Sequence, residues 1–200
     1  MFSPNEAENK INLRLEMAVK SAFKANLKHM DEMIHDAEGI IYSFPYTITP
    51  DYLKHFIKEV ECIREIGYIS AFEKNVELAK FFASKGKIKH TIKSMDLAQE
   101  YGSIVEKSLP SDFQGLEEKA YDVASNKMFD CARNFFSKNN ISGMNRALLL
   151  ADVYSKKANK DLTGDIALLK NASKNYFPFQ ESSTANYSIQ SGPLDVINNN

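Results

Sequence analysis

The chain has 200 residues, of which 44% are hydrophobic, and its 25 Lys and Arg residues nearly balance its 26 Asp and Glu residues. This length suits one domain or one short repeat array with enough apolar residues for a core. The balanced charge argues against a general polyanion binder, because such proteins carry a strong basic excess. No window approaches the roughly 18 apolar residues of a membrane span, and the first ten residues lack the features of a signal peptide. We therefore expect a cytoplasmic protein that does not bind membranes.

The N-terminal third is predicted to be helical. The segment Ser3-Pro4-Asn5-Glu6 is a capping box with Pro at the first helical position, and the helical pattern that follows continues to about Tyr42. Two prolines in SFPYTITP then predict a connector. Thr49 is expected to cap the next helix, with Pro50 at its first position, and Gly67 to end it.

The middle of the chain predicts a helix that starts near Ile69, turns back at Lys85-Gly86-Lys87 and continues to about Lys107. Leu109-Pro110 is a break. Ser111 with Gln114 forms another capping box, and the helix it opens is long enough that we expect a kink or break near Ser125-Asn126.

The last predicted helices begin at Asn140, which is expected to cap a helix to about Lys157, and at Asp161. No segment has a sustained period of two, so the predicted fold class is all-α, with about seven or eight helices. We assign residues 1–175 to a helical-hairpin domain. Residues 176–200 lack Lys and Arg and are rich in Ser and Asn, which predicts a mostly disordered tail. Its aromatic start, Tyr176 to Phe179, is expected to dock on the last helices or to bind another protein.

A repeat organises this helical pattern. Residues 79–101 and 132–154 share eight identities in twenty-three positions. Gly86 and Asn139 occupy the same place in the two turns, and these two residue types tolerate the left-handed conformation that ends a helix. The identical pairs are Ala79 and Ala132, Phe82 and Phe135, Ser84 and Ser137, Lys85 and Lys138, Ile88 and Ile141, Leu97 and Leu150, Ala98 and Ala151, and Tyr101 and Tyr154.

The repeated pattern resembles the tetratricopeptide repeat family in the positions of its small and large residues. These positions hold Ala79, Phe82, Gly86, Ile88, Thr91, Met95 and Ala98. The chain departs from that family in having Asn75 and Met128 where an early Trp is favoured, and in spacing its copies more widely. The resemblance implies antiparallel helical hairpins stacked as a short array that binds a peptide or helix in a groove.

A third, fainter copy is present at residues 18–37, with Ala18, Ala22, Lys24, His29 and Ala37 at positions equivalent to those of the first repeat. This segment has no Gly or Pro at the expected turn. A hairpin and one long helix are therefore both compatible with it.

The residues that could carry chemistry favour no enzyme class. Glu32 and His35 have the spacing of a di-iron helix, but a second such motif is absent, so a solvated acidic face near Asp31 and Asp36 explains them better. His55 and Glu59 at i,i+4 are typical of a surface pair. No phosphate-binding loop or nucleophile motif is present. We expect no metal and no cofactor, and the prediction leans towards a protein that is not an enzyme.

The two cysteines and two further sets of residues have predicted roles. Cys62 and Cys131 are expected to be reduced core thiols. The resemblance places Lys80, Ser84, Arg133 and Phe136 on the inner surface of the array, where they suit a carboxylate-bearing partner protein or peptide. Self-association is a further expectation, because hairpins must cover their neighbours. The alternative function is nucleic-acid binding through Lys85, Lys87, Lys89 and Lys93, although a solvated turn explains these lysines more simply.

Overall fold

The computed structural model describes residues 4–43 and 48–176, which form seven α-helices and contain no β-strand. The helices are α1 (Pro4–Phe23), α2 (Leu27–Ser43), α3 (Pro50–Ser84), α4 (Ile88–Ile104), α5 (Leu116–Ser137), α6 (Ile141–Lys157) and α7 (Thr163–Tyr176). The all-helical prediction is confirmed for the described part of the chain.

Short left-handed turns join α1 to α2, α3 to α4 and α5 to α6. The left-handed residues are Ala25, Gly86 and Asn139, with φ of 52°, 64° and 57°. After each of them the next amide donates to a carbonyl in the last turn of the preceding helix, which is the Schellman arrangement. These bonds run from Asn26 to Ser21 at 3.0 Å, from Lys87 to Phe82 at 3.0 Å and from Asn140 to Phe135 at 2.9 Å. The predicted turns at Gly86 and Asn139 are confirmed.

The faint N-terminal copy is also a hairpin. α1 ends at Phe23 and α2 begins at Leu27, so one long helix through this segment is wrong. Ala25 takes the left-handed position that Gly86 occupies in the next hairpin. A residue with a Cβ adopts this conformation at a cost of about 1–2 kcal/mol. Because the position holds Ala and not Gly or Asn, the sequence does not indicate the turn.

The same positions are buried in all three hairpins. Before the turn, Ala18, Ala79 and Ala132 are fully buried, and after it so are Ala37, Ala98 and Ala151. Small side chains at these positions let the two helices of each hairpin approach closely. One position between these alanines is also fully buried in all three hairpins, and it is occupied by Met30, Thr91 and Met144.

The chain divides between Ala124 and Ser125 into two compact units. In the first unit, α1, α2 and the first half of α3 enclose one core, and the second half of α3, α4 and the start of α5 enclose another. In the second unit, the end of α5 packs with α6 and α7 around Met144 and Leu148.

Gly67 does not end a helix, contrary to the prediction, because α3 continues from Pro50 to Ser84. Gly67 is buried, and a Cβ there would overlap the Sδ atom of Met30 on α2. The glycine is therefore present for a close approach between helices. The loss of about 1 kcal/mol of helix propensity is small enough for packing along α3 to outweigh it.

α5 differs from the prediction in two respects, the residue at which it begins and the absence of the expected break in its middle. The capping box at Ser111 does not open the helix, since residues 110–115 form successive turns and α5 begins at Leu116. Phe113 is buried within these turns and packs into the core of the first unit. No break occurs near Ser125-Asn126, where the serine is fully buried and the helix continues.

The helix starts that the side-chain caps predicted agree better with the structure. Thr49 Oγ1 accepts from the Tyr52 amide at 3.2 Å, and Asn140 Oδ1 accepts from the Gly143 amide at 2.8 Å, as expected. Asp161 lies just before α7, which begins at Thr163, and its carboxylate accepts from the Thr163 amide at 2.8 Å. Hydrogen bonds from the Thr163 side chain and, to a smaller extent, from this amide lower the pKa of Asp161 below its ordinary value.

Three predictions concern residues outside the described part of the chain. Ser3 of the first capping box, residues 44–47 of the predicted connector and residues 177–200 of the predicted tail all lie there.

Candidate interaction surfaces

Lys80 and Ser84 lie one turn apart at the C-terminal end of α3. Lys80 Nζ is 3.3 Å from the carboxylate of Asp112, in the segment between α4 and α5. Ser84 is exposed, and its hydroxyl donates to the Phe81 carbonyl at 2.8 Å. A half-exposed ion pair of this kind contributes at most about 1 kcal/mol, so Lys80 keeps most of its capacity to bind an external carboxylate.

Arg133 and Phe136 lie on the last turns of α5, in the second unit. The guanidinium of Arg133 is 3.6 Å from Asp130 and 4.6 Å from the centre of the Phe129 ring. Phe136 is half-buried against the core of the second unit, and its ring meets that of Tyr176 edge to face at 6.1 Å. The guanidinium is exposed beside the ring, and its planar fork of donors suits bidentate contact with a carboxylate.

Phe81 is a neighbour of both Lys80 and Ser84 that the sequence analysis missed. Its side chain is 53% exposed, it packs on Phe82 with ring centres 5.5 Å apart, and Lys85 Nζ lies 5.9 Å from the ring centre. The signal was the Phe81-Phe82 pair, because two adjacent helical residues cannot both face one core. Aromatic residues, including Phe, are enriched at protein–protein interfaces relative to the rest of the surface.

The lysines of the α3–α4 turn are exposed. Lys85 and Lys87 lie in the turn itself, and Lys89 and Lys93 lie on the first turns of α4. The ring of His90, on the same helix, lies 5.0 Å from that of Phe82. The turn therefore combines several cations with aromatic rings, which the lysine pattern alone did not indicate.

The acidic residues and histidines of α2 and α3 form surface pairs. Within the described residues, no group of three or more His, Cys, Asp or Glu side chains could hold a metal ion. His29 Nδ1 is 3.3 Å from Glu32, and His35 Nδ1 is 3.8 Å from Glu38. His55 lies 3.8 Å from Glu59 on the surface of α3, as its spacing suggested.

The prediction that Cys62 and Cys131 lie in the core is wrong. Both thiols are free and exposed. The residue that follows each cysteine, Ile63 or Ala132, is buried. The inward-facing stripe of each helix therefore contains that residue and not the cysteine.

A groove of about 550 Å³ lies between the end of α2 and the start of α3. Its walls are mainly apolar, and its carboxylate, Glu38, is 3.8 Å from the guanidinium of Arg64. The lining is Glu38, Ile41, Tyr42, Ile48, Thr49, Pro50, Leu53, Phe56 and Ile57. Among the described residues of this lining, no nucleophile is paired with a base.

Comparisons of the chain with protein-family models, curated proteins and solved structures found no match. None of the helices in the described part of the chain is long and apolar enough to cross a membrane.

Proposed function

We propose that this chain is a non-enzymatic interaction or adaptor module, a short tetratricopeptide-like array that binds a segment of another protein. The observation that carries this proposal is the contrast between the inside and the outside of the three hairpins. Their turns and fully buried positions recur, whereas equivalent outward positions hold His35, Asp96 and Leu149. A recurring interior with a varied exterior is what repeat proteins use to present binding surfaces.

Contact with the partner is assigned to the ends of α3 and α5. Lys80 and Ser84, with exposed Phe81 between them, would contact the partner in the first unit, and Arg133 with Phe136 would do so in the second. This chemistry suits a partner segment that carries carboxylates and an apolar anchor. The two exposed free thiols are compatible with the reducing cytoplasm, where we place the interaction.

Capture from the protein's own cells tests the proposal. The intact tagged chain is purified at low salt under nuclease treatment, next to the K80E/R133E variant and a control, K54E/K170E, which makes the same change in charge at exposed lysines. We expect the wild type and the control to retain a defined protein, and K80E/R133E to lose at least nine-tenths of it. Equal capture by all three, or no captured protein, would contradict the proposal.

Nucleic-acid binding is the second candidate function, and the aromatic rings of the α3–α4 turn favour it. Phe81 beside Lys85, with Lys87 and Lys89 exposed close by, combines a stacking surface with phosphate contacts, as in single-strand binding. The test is fluorescence anisotropy of a labelled single-stranded RNA. This function predicts affinity that falls steeply with salt and at least tenfold weaker binding by K87E/K89E. Unaltered binding by that variant would exclude the turn.

A further inference from the structure

The outer face of α6 is apolar at positions where the equivalent helix of the preceding hairpin is charged. Leu149 is 50% exposed and Val153 is 43% exposed. The turn alignment pairs them with Asp96 and Glu100 on α4, which are also exposed. Since the equivalent residues of α4 are acidic, the hairpin itself does not require apolar side chains at these two positions.

These aliphatic residues lie opposite the buried face of α6. Residues 146, 149, 153 and 157 follow the i, i+3, i+7, i+11 spacing of one helical stripe, directly across the helix from the buried Ala151. Arg146 and Lys157, both exposed, therefore stand at the two ends of the stripe. We call Arg146, Leu149, Val153 and Lys157 the outer stripe.

The charges at its ends decide which partner the outer stripe fits. A second copy of the chain, laid stripe against stripe in either direction, would set basic ends against basic ends, which is unfavourable. An anionic membrane would be matched in charge, but interfacial helices bury a broad apolar face that includes aromatic residues, and this stripe has two aliphatic side chains. A helix with carboxylates at both ends of its own apolar stripe matches the outer stripe in charge and in length.

We infer that the outer stripe of α6 is a docking site for an acidic amphipathic helix of a partner protein. The partner helix would carry two apolar residues four apart, flanked by Glu or Asp, and would lie along α6 with its carboxylates against Arg146 and Lys157. This inference rests on the proposed function as a protein-binding module. It adds a surface separate from Lys80 and Arg133 and states the chemistry of its ligand.

Two designed helical peptides test the inference on the full chain by fluorescence anisotropy at low salt. Both carry two Leu residues four apart in an Ala-rich helix, one flanked by Glu and the other by Lys. We expect the wild type to bind the Glu peptide at least tenfold more tightly than the Lys peptide. L149D/V153E, which installs the acidic residue types of α4, should lose at least tenfold in affinity for the Glu peptide. R146E/K157E should reverse the preference, and the charge-matched K54E/K170E should keep it.

Three results would overturn the inference. The first is equal peptide binding by the wild type and L149D/V153E. The second is sedimentation that shows a dimer abolished by L149D/V153E, which would assign the stripe to a second copy of the chain. The third is co-sedimentation with phosphatidylserine vesicles, but no peptide binding, which would assign it to a membrane surface. If peptide binding fails while the wild type still captures a nuclease-resistant protein through Lys80 and Arg133, only this inference falls; without any captured protein, the proposed function falls too.

Discussion

Gly67 on α3 and Met30 on α2 are in such close contact that a Cβ on the glycine would overlap the methionine sulfur. Met30 is fully buried, and Leu27 closes the other side of the same space. The contact explains why a 35-residue helix contains a buried glycine near its middle.

Gly67→Ala is predicted to destabilise the chain. The gain in helix propensity is about 1 kcal/mol, whereas overpacking against a buried side chain costs about 1–3 kcal/mol. Gly39→Ala on α2 is the matched control, because nothing lies within 4 Å of the added Cβ, and it should stabilise by up to about 1 kcal/mol. Urea unfolding followed by circular dichroism measures both. Stabilisation by Gly67→Ala would show that the Met30 contact does not constrain the helices.

The left-handed turns predict that substitutions at two equivalent positions change the stability of the chain in opposite directions. Gly86→Ala puts a Cβ at φ 64° and close to the Ala124 amide, so we expect a loss of about 1–2 kcal/mol or more. Ala25→Gly removes a Cβ at φ 52° and should stabilise by up to about 1 kcal/mol. Thermal unfolding of both variants tests this. A loss of stability in both would mean that the two turns differ in conformation.

The caps of α4 and α6 form a second matched pair. Asn140 caps α6 through its side chain, whereas Lys87, at the same place before α4, makes no such hydrogen bond. Asn140→Ala should cost about 1 kcal/mol, and Lys87→Asn should stabilise by up to about 1 kcal/mol. Urea unfolding measures both, and equal effects of the same sign would contradict the assigned caps.

Asp161 predicts a dependence of stability on pH. Its hydrogen bonds with Thr163 lower its pKa in the folded chain from the ordinary value of 3.8. A carboxyl whose pKa is lowered by folding contributes stability above its unfolded pKa, and that contribution is lost as the pH falls through the lowered value. The difference in unfolding free energy between the wild type and Asp161→Asn should therefore be constant at neutral pH and shrink below pH 3.8. A difference that grows in acid would contradict this account.

Features that depend on local chemistry were predictable from the sequence. The turns at Gly86 and Asn139 and the caps at Thr49 and Asn140 each involve a backbone conformation or a hydrogen bond within a few residues. The small residues of each hairpin were visible because Ala79 and Ala132 fall at the same place in two copies.

Features that depend on distant contacts were not predictable. Gly67 looks like a helix end unless the position of Met30 is known. The ion pair between Lys80 and Asp112 could not be recognised from the sequence, because the two residues are far apart along the chain. The outward direction of the Phe81 side chain could likewise be assigned only once the burial of its neighbours was known.

Photo-crosslinking in the protein's own cells tests the central claim, that the chain binds another protein at the end of α3. A benzophenone amino acid replaces Ser84, which is exposed beside Lys80 and Phe81, and in a control it replaces Gly164 on α7, where nothing lies within 4 Å of an added Cβ. We predict a protein adduct of defined mass from position 84 that survives nuclease, and none from position 164. No adduct at position 84, or an adduct that disappears with nuclease, would contradict the account.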